Sequence, residues 1–351
     1  MKKQSFNLSK IKELTLYTGT NGKYGCSCNC PGCSQTNYGK QNMNNFHQGT
    51  LKQIEEIINI LPELEKAYFL GNPDCSVDPE FCSKAARLFI EKGIHVMFST
   101  SGIGGEETIK KLLDDVDLNF IDYISFSIDS LDSKIESALK GVNIPFDTVL
   151  SGIEYCQAHK IPIKIQPTVW QINQNTCIEL MEFFRLQYEI NWFTFHTGSF
   201  EGFYPLSPKV CRHVLPDEWH KLSNDIIDYS TANNVNTYLP AIFLTESELE
   251  IYKATYIPHC TNPEPTNLQI WMEDTLKSTF YPILNSVRPT LYTQEFNSSI
   301  IPTPAKNPNN QCPVQTFVLG HELSRKFTGN IWEKDGQKLY SICRYYKKGV
   351  N

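Results

Sequence analysis

The sequence predicts an α/β fold: a parallel sheet built from repeated strand–helix units, with a smaller α+β extension at its C-terminal end. Three observations carry this. Short apolar runs of strand length alternate with helix-spaced segments through the first two-thirds of the chain. Each strand is followed by a segment long enough for a helical crossover, as parallel pairing requires. From about residue 245 the alternation gives way to turn-rich segments such as "NPEPTN" and "IPTPAKNPNNQCP".

The strands are read at 13–18, 67–71, 94–100, 121–129, 161–169 and 191–198. After the first, Leu51, Ile54, Ile58 and Leu61 share one helical face, with Thr50 as N-cap and Pro62 as stop. After the second, Asp78 caps a helix with Pro79 at its first position; Phe81, Ala85, Leu88 and Phe89 form the stripe and Gly93 ends it. Val149, Ile153 and Cys156 carry the helix after the fourth strand, and Ile178, Met181 and Phe184 the one after the fifth. Trp219, Leu222 and Ile226 carry the one after the sixth. Right-handed units of this kind curl into a partial barrel or wind into an open sheet. In both, the functional end is the C-terminal end of the strands. We divide the chain into a core, 1–245, and a substrate-binding or cap region, 246–351.

At 351 residues the chain can bury a large core, and 40% hydrophobic with 20% charged residues is ordinary globular composition. The net charge of −6 argues against nucleic-acid or membrane-surface binding driven by charge. The first residues lack the apolar core of a signal peptide, and no run of membrane-spanning length occurs. The expected location is therefore cytoplasmic, where twelve cysteines read as thiols or metal ligands rather than disulfides.

The loop from Thr18 to Gly49 is unusually long for a compact domain, and such loops are usually functional. It contains "YGCSCNCPGCSQ", with Cys26, Cys28, Cys30 and Cys33. A structural zinc site draws its four ligands from two separate pairs. Three cysteines in one loop suit an iron–sulfur cubane with one iron left open.

Cys26, Cys30 and Cys33, spaced C-x3-C-x2-C after the first strand, resemble the motif of the radical S-adenosylmethionine (SAM) superfamily. The resemblance covers roughly residues 10–240. It implies a partial (β/α)6 barrel, a [4Fe–4S] cluster on these three cysteines, and SAM on the open iron. It also implies reductive cleavage of SAM to a 5′-deoxyadenosyl radical that takes a substrate hydrogen, and a reductant such as flavodoxin or ferredoxin. Gly71, Asn72, Pro73 and Asp74 stand where the family has a GGEP-like loop at the SAM amino group. Ser127 and Asp129, read as alternate residues of the fourth strand, resemble its ribose contacts. Lys140 stands near the place of an arginine at the SAM carboxylate, and Thr168, near the end of the fifth strand, is carried over as a further SAM contact. The chain departs from the family at Gly32, where an aromatic residue is usual, and has no clear adenine-binding glycine motif.

Cys28 is expected to face away from the ligands and pack as a small apolar group. Cys75, Cys82, Cys156 and Cys177 read as packing residues. Tyr17 and His196 face the barrel mouth or pack in its rim. Some of Cys260, Cys312 and Cys343, with or without Cys211, could serve one auxiliary cluster, as in SPASM or twitch extensions, or belong to a substrate-binding cap. The functional expectation is modification of a peptide by crosslinking, epimerisation or dehydrogenation. The alternatives are a small-metabolite enzyme, and a non-catalytic zinc or iron–sulfur scaffold or sensor.

Overall fold

A computed structural model describes residues 12–17, 26, 28–32, 50–69, 74–197, 210–212, 214–239, 242–248, 267–271, 287–289, 331–334 and 336–342. Strand β1 (Glu13–Tyr17) is followed by α1 (Leu51–Ile60), β2 (Lys66–Phe69), α2 (Pro79–Ile90), β3 (His95–Thr100) and α3 (Gly105–Leu112). Next come β4 (Ile121–Phe126), α4 (Ser133–Lys140), α5 (Phe146–Ala158), β5 (Ile163–Ile165) and β6 (Thr168–Val169). The core closes with α6 (Cys177–Tyr188), β7 (Trp192–Thr194), β8 (His196–Thr197), α7 (Pro216–Asn233) and β9 (Asn236–Tyr238). Beyond it lie β10 (Ile242–Leu244), β11 (Asn267–Trp271), β12 (Val287–Pro289), β13 (Ile331–Lys334) and β14 (Gln337–Ile342).

The main sheet runs β12-β11-β1-β2-β3-β4-β5-β7-β9. Every neighbouring pair from β11 to β9 is parallel, and β12 pairs antiparallel with β11. Strand order from β1 to β9 follows chain order. A doubly wound sheet reverses direction at a switch point; a monotonic order with right-handed crossovers keeps the helices on one face and curls the sheet. The fold is a partial β/α barrel. Among the described residues, no helix is long and apolar enough to cross a membrane.

The two sheet faces follow from alternation. Leu14, Leu16, Ala67, Phe69, Val96, Phe98, Ile124, Phe126, Ile163, Ile165 and Phe193 are buried in the core with helix residues such as Ile54, Phe89, Ile153 and Phe184. Alternate positions on the concave face carry Thr15, Tyr68, Ser99, Tyr123, Ser125, Lys164 and Trp192. Local signals act where expected. Thr50 and Gln53 form a reciprocal capping box on α1, and the Asp78 carboxylate accepts the Phe81 N–H at the start of α2.

Two expectations are corrected. The fourth strand ends at Phe126, so Ser127 and Asp129 stand in the loop beyond it rather than alternating along it. The fifth and sixth strands each break, at Gln166–Pro167 and at Phe195; their ends pair separately as β6 and β8. Proline at 167 removes a ladder donor, which accounts for the first break.

Candidate functional site

The C-terminal ends of β2, β3, β4 and β5 deliver polar groups to one mouth. After β2, the Asp74 carboxylate accepts from Thr100 Oγ1 at 2.8 Å, from the Ser101 N–H and from the Ser76 N–H at 2.8 Å. It thereby ties the β2 loop to the end of β3. The Ser127 N–H donates to the Thr100 carbonyl at 2.7 Å, tying β4 to β3.

Beyond β4, Lys140 from the last turn of α4 donates through Nζ to Asp129 Oδ2 at 2.7 Å and Ser127 Oγ at 3.0 Å, with Glu136 Oε1 at 3.7 Å. All three charged side chains are buried. The second Asp129 oxygen accepts the Thr168 N–H at 2.6 Å, which brings in β6. Asn173 Nδ2 donates to the Asp129 and Thr168 carbonyls at 2.8 and 3.0 Å. The Glu136 carboxylate accepts the Asp129 and Ser130 N–H groups at 2.9 and 2.8 Å. Burial works against the Lys140 charge, but Asp129 and Glu136 outweigh it and hold its pKa above the usual lysine value. Burial lifts the Glu136 carboxyl, while Lys140 pulls it back.

The cysteine loop docks on this cluster. The Asn29 N–H donates to the Lys140 carbonyl at 2.9 Å. Gly141, with φ +67°, caps α4; a Cβ there would lie 2.1 Å from the Asn29 carbonyl oxygen, so only glycine admits this approach. Cys26, Cys28 and Cys30 lie in a row. The Cys26 thiol is raised by donating to Cys28, by burial and by the Asp74 charge. Cys26 favours the Cys28 thiolate, but Cys30 and burial outweigh it and push that thiol up to about 12. Cys28 is thus buried as expected, yet it interacts with its neighbours' sulfurs instead of turning away. Crowded thiols that resist ionisation are what a thiolate-bound cation would stabilise, because a metal reverses the local sign. Lys140 faces both Cys28 and Cys30, and its charge favours the Cys28 thiolate. Cys26 and Cys30 are soft thiol donors of the kind an iron–sulfur cluster takes, Cys33 lies outside the described residues, and among the described residues no group of three ligands is assembled.

Gly32 has a structural reason. A Cβ at this position would lie 2.3 Å from Trp170 Cζ2 and 3.1 Å from Cys211 Sγ. Trp170, in the loop after β6, and Cys211 are both buried there with Leu139. An indole from elsewhere in the chain fills the place beside the cysteine loop.

Cys26, Cys30, Asp74, Ser127, Asp129, Lys140 and Thr168 all belong to the described mouth. Cys33, Gly71, Asn72 and Pro73 lie outside the described residues, as do Cys260, Cys312 and Cys343. The Tyr17 backbone ends β1, but its side chain is outside them too. Half-buried His196 pairs with Thr168 in the β6–β8 register. Cys75, Cys82, Cys156 and Cys177 are buried in the core, as their helix positions suggested.

Sequence reasoning missed Lys164. It is 6% exposed on the concave face, with Nζ 4.1 Å from the Tyr123 ring centroid and 5.5 Å from those of Tyr68 and Trp192. Three rings return about 0.5–2 kcal/mol each to a cation, whereas burying an ammonium costs several kcal/mol. Burial wins, and lowers the Lys164 pKa to about 7. The alternation Ile163-Lys164-Ile165-Gln166 was the available signal: it puts Lys164 and Gln166 opposite the helix-covered face.

The strand ends of a parallel barrel thus gather a thiol loop, a buried carboxylate–lysine pair and a second carboxylate at one mouth, the end where such barrels carry their active sites. Residues 21–184 match the radical SAM superfamily. The match spans 164 of the chain's 351 residues and agrees with the resemblance read from its cysteine spacing. Among solved structures the chain is similar to Streptococcus suis SuiB bound to S-adenosylmethionine, at 17% identity and TM-score 0.54 over 75% of this chain and 59% of that one. It is also similar to native anSMEcpe with bound AdoMet, at 16% identity and TM-score 0.50 over 64% of each chain. The chain thus spans less than two-thirds of either protein's length. No curated protein matches the sequence.

Proposed function

We propose that the chain holds a [4Fe–4S] cluster on Cys26, Cys30 and Cys33, binds SAM beside it, and modifies a peptide. Together the bound groups would supply a carbon-centred radical able to remove a substrate hydrogen. The observation that carries this reading is the docking of the cysteine loop on the Asp129–Lys140 pair, through the Asn29–Lys140 backbone bond and the close approach at Gly141.

In this reading the residues of the mouth divide their work. Asp74 spans the β2 and β3 ends close to Cys26 and, with Gly71 and Asn72, lines the SAM amino end. Ser127 and Thr168, each half-buried, line the ribose side. Lys140 and Asp129 are engaged with each other and position these groups, while the Lys140 charge favours the Cys28 thiolate. The concave face receives the substrate, which the strands orient and shield from water. A reductant of flavodoxin or ferredoxin type would supply the electron. The peptide class draws support from anSMEcpe, a protein also solved with AdoMet and a Cp18Cys peptide.

The test is anaerobic reconstitution with iron and sulfide, then dithionite and SAM. Brown absorbance that bleaches on reduction, with 5′-deoxyadenosine formed, is expected. Cys30→Ala should lose both iron and product, and Cys28→Ala should keep both. A colourless zinc protein, or a reduced cluster that yields no deoxyadenosine, would sink the reading in favour of a scaffold or sensor.

A further inference from the structure

We propose that Lys164, with the Tyr68, Tyr123 and Trp192 rings around it, is an anchoring site for a substrate carboxylate on the concave face of the sheet. The inference rests on the reading above only in taking that face as the substrate's side.

The argument is one of unmatched donors. Among the described residues Lys164 Nζ has ring neighbours but no carboxylate and no hydrogen-bond acceptor. Side-chain acceptors on the neighbouring strands are engaged elsewhere. Asp122 on β4 takes Lys66 Nζ and His95 Nδ1, both at 2.8 Å. Gln166 Oε1 accepts from Ser125 Oγ at 2.8 Å and from the Tyr68 hydroxyl at 3.4 Å. The Trp192 indole N–H is buried and likewise has no acceptor among the described residues. A native core rarely keeps such donors on one face without a reason.

The chemistry of the missing partner follows. One ammonium and one indole N–H suit a monoanion with a few lone pairs. A phosphate would want an arginine fork or several backbone N–H groups. The flanking rings suit the carbon chain that carries the carboxylate. Lys164 precedes Thr168 by four residues, with the strand broken at Gln166–Pro167 between them, so the anchor lies at most about 13 Å from the mouth. About four extended residues or an equivalent chain would span that distance. The carboxylate is either a peptide's C-terminus or an acidic side chain.

The full chain, without SAM or added iron, tests this. Its lysines are reductively methylated with 13C-formaldehyde, and the Lys164 signal is assigned by its loss in Lys164→Met. Three probes are titrated: acetyl-Ala-Ala-Ala-Gly with a free C-terminus, the same peptide amidated, and amidated acetyl-Ala-Ala-Glu-Gly. A charge-assisted contact predicts that a carboxylate probe moves the Lys164 signal and binds about tenfold or more tighter than the neutral amide. Which acid peptide does so identifies the source of the carboxylate. Lys164→Arg should keep the preference and Lys164→Met should lose it. Equal binding of acid and amide peptides, or a Lys164 signal that no carboxylate moves, would overturn the proposal. The wild-type titration decides even if a variant does not fold. Because no turnover is read, a failure to cleave SAM leaves this result independent.

Discussion

Two lysines, Lys140 and Lys164, are buried to nearly the same extent, at 3% and 6% exposure, yet their surroundings act on them in opposite directions. Lys140 has Asp129 and Glu136, and its charge is held. Among the described residues Lys164 has only rings, and burial lowers its pKa to about 7. Removing each should therefore have opposite consequences. Lys140→Met leaves Asp129 and Glu136 buried without a cation and should cost about 3–5 kcal/mol in urea unfolding of the metal-free protein. Lys164→Met removes an unpaired donor and fills the same space, so it should be neutral or stabilising near neutral pH. The pH dependence has a definite sign. Between about pH 7 and 10.5 the unfolded chain keeps a proton on Lys164 that the native chain has shed, so native stability rises with pH by about 1.4 kcal/mol per unit. The wild type should gain on Lys164→Met as pH is raised from about 7 to 9. Parallel stability curves for the two proteins would show that Lys164 keeps its proton in the fold. Lys140, raised instead, should add no such slope below its ordinary pKa.

Among the elements, those with a strong local signal were legible in the sequence, and those held by tertiary contacts were not. Helices α1 and α2 carried a cap, an apolar stripe and a stop. Helix α3 starts on Gly104 with no side-chain cap, and α4, "SKIESALK", has only two large apolar residues, so neither stood out. Yet α4 carries Lys140 and seats the cysteine loop. The contact at Gly141 can be isolated by comparison with Gly93, which has φ +74° but nothing within 4 Å of its Cβ position. Alanine at either should cost about 1 kcal/mol from the left-handed backbone. Only Gly141→Ala should also displace Asn29 and lower the iron bound per chain after reconstitution. Equal iron in both variants would separate the loop's docking from cluster retention. Gly32→Phe offers a second check. It should destabilise the chain by colliding with Trp170, and Trp170→Ala should relieve part of that loss in the double variant, a non-additivity measurable by thermal unfolding.

For the whole molecule, the parallel βα alternation was readable, and the family resemblance chose the monotonic order of a partial barrel over a doubly wound sheet. What was not readable is the closure of the sheet beyond β1. Strand β11 pairs with all five residues of β1, from Glu13–Asn267 to Tyr17–Trp271, across about 250 positions of sequence. No local pattern encodes a register between segments so far apart. Strand β14 likewise pairs with β10 from the far end of the chain. These pairings bear on the boundary drawn at 245, because β1 opens into the cysteine loop. A chain ending at Thr245 would leave β1 as an open, parallel edge carrying Leu14 and Leu16, and β10 without a partner. Unpaired edges of this kind invite association with other chains. We expect such a truncation to be recovered largely as aggregate, and its soluble fraction to unfold at lower urea and bind less iron than the full chain. A soluble 1–245 fragment that binds iron normally and unfolds at the same urea concentration would show that β11 merely lies alongside a self-sufficient core. The expected loss would instead make the C-terminal third part of the frame that holds β1, and through it the cysteine loop.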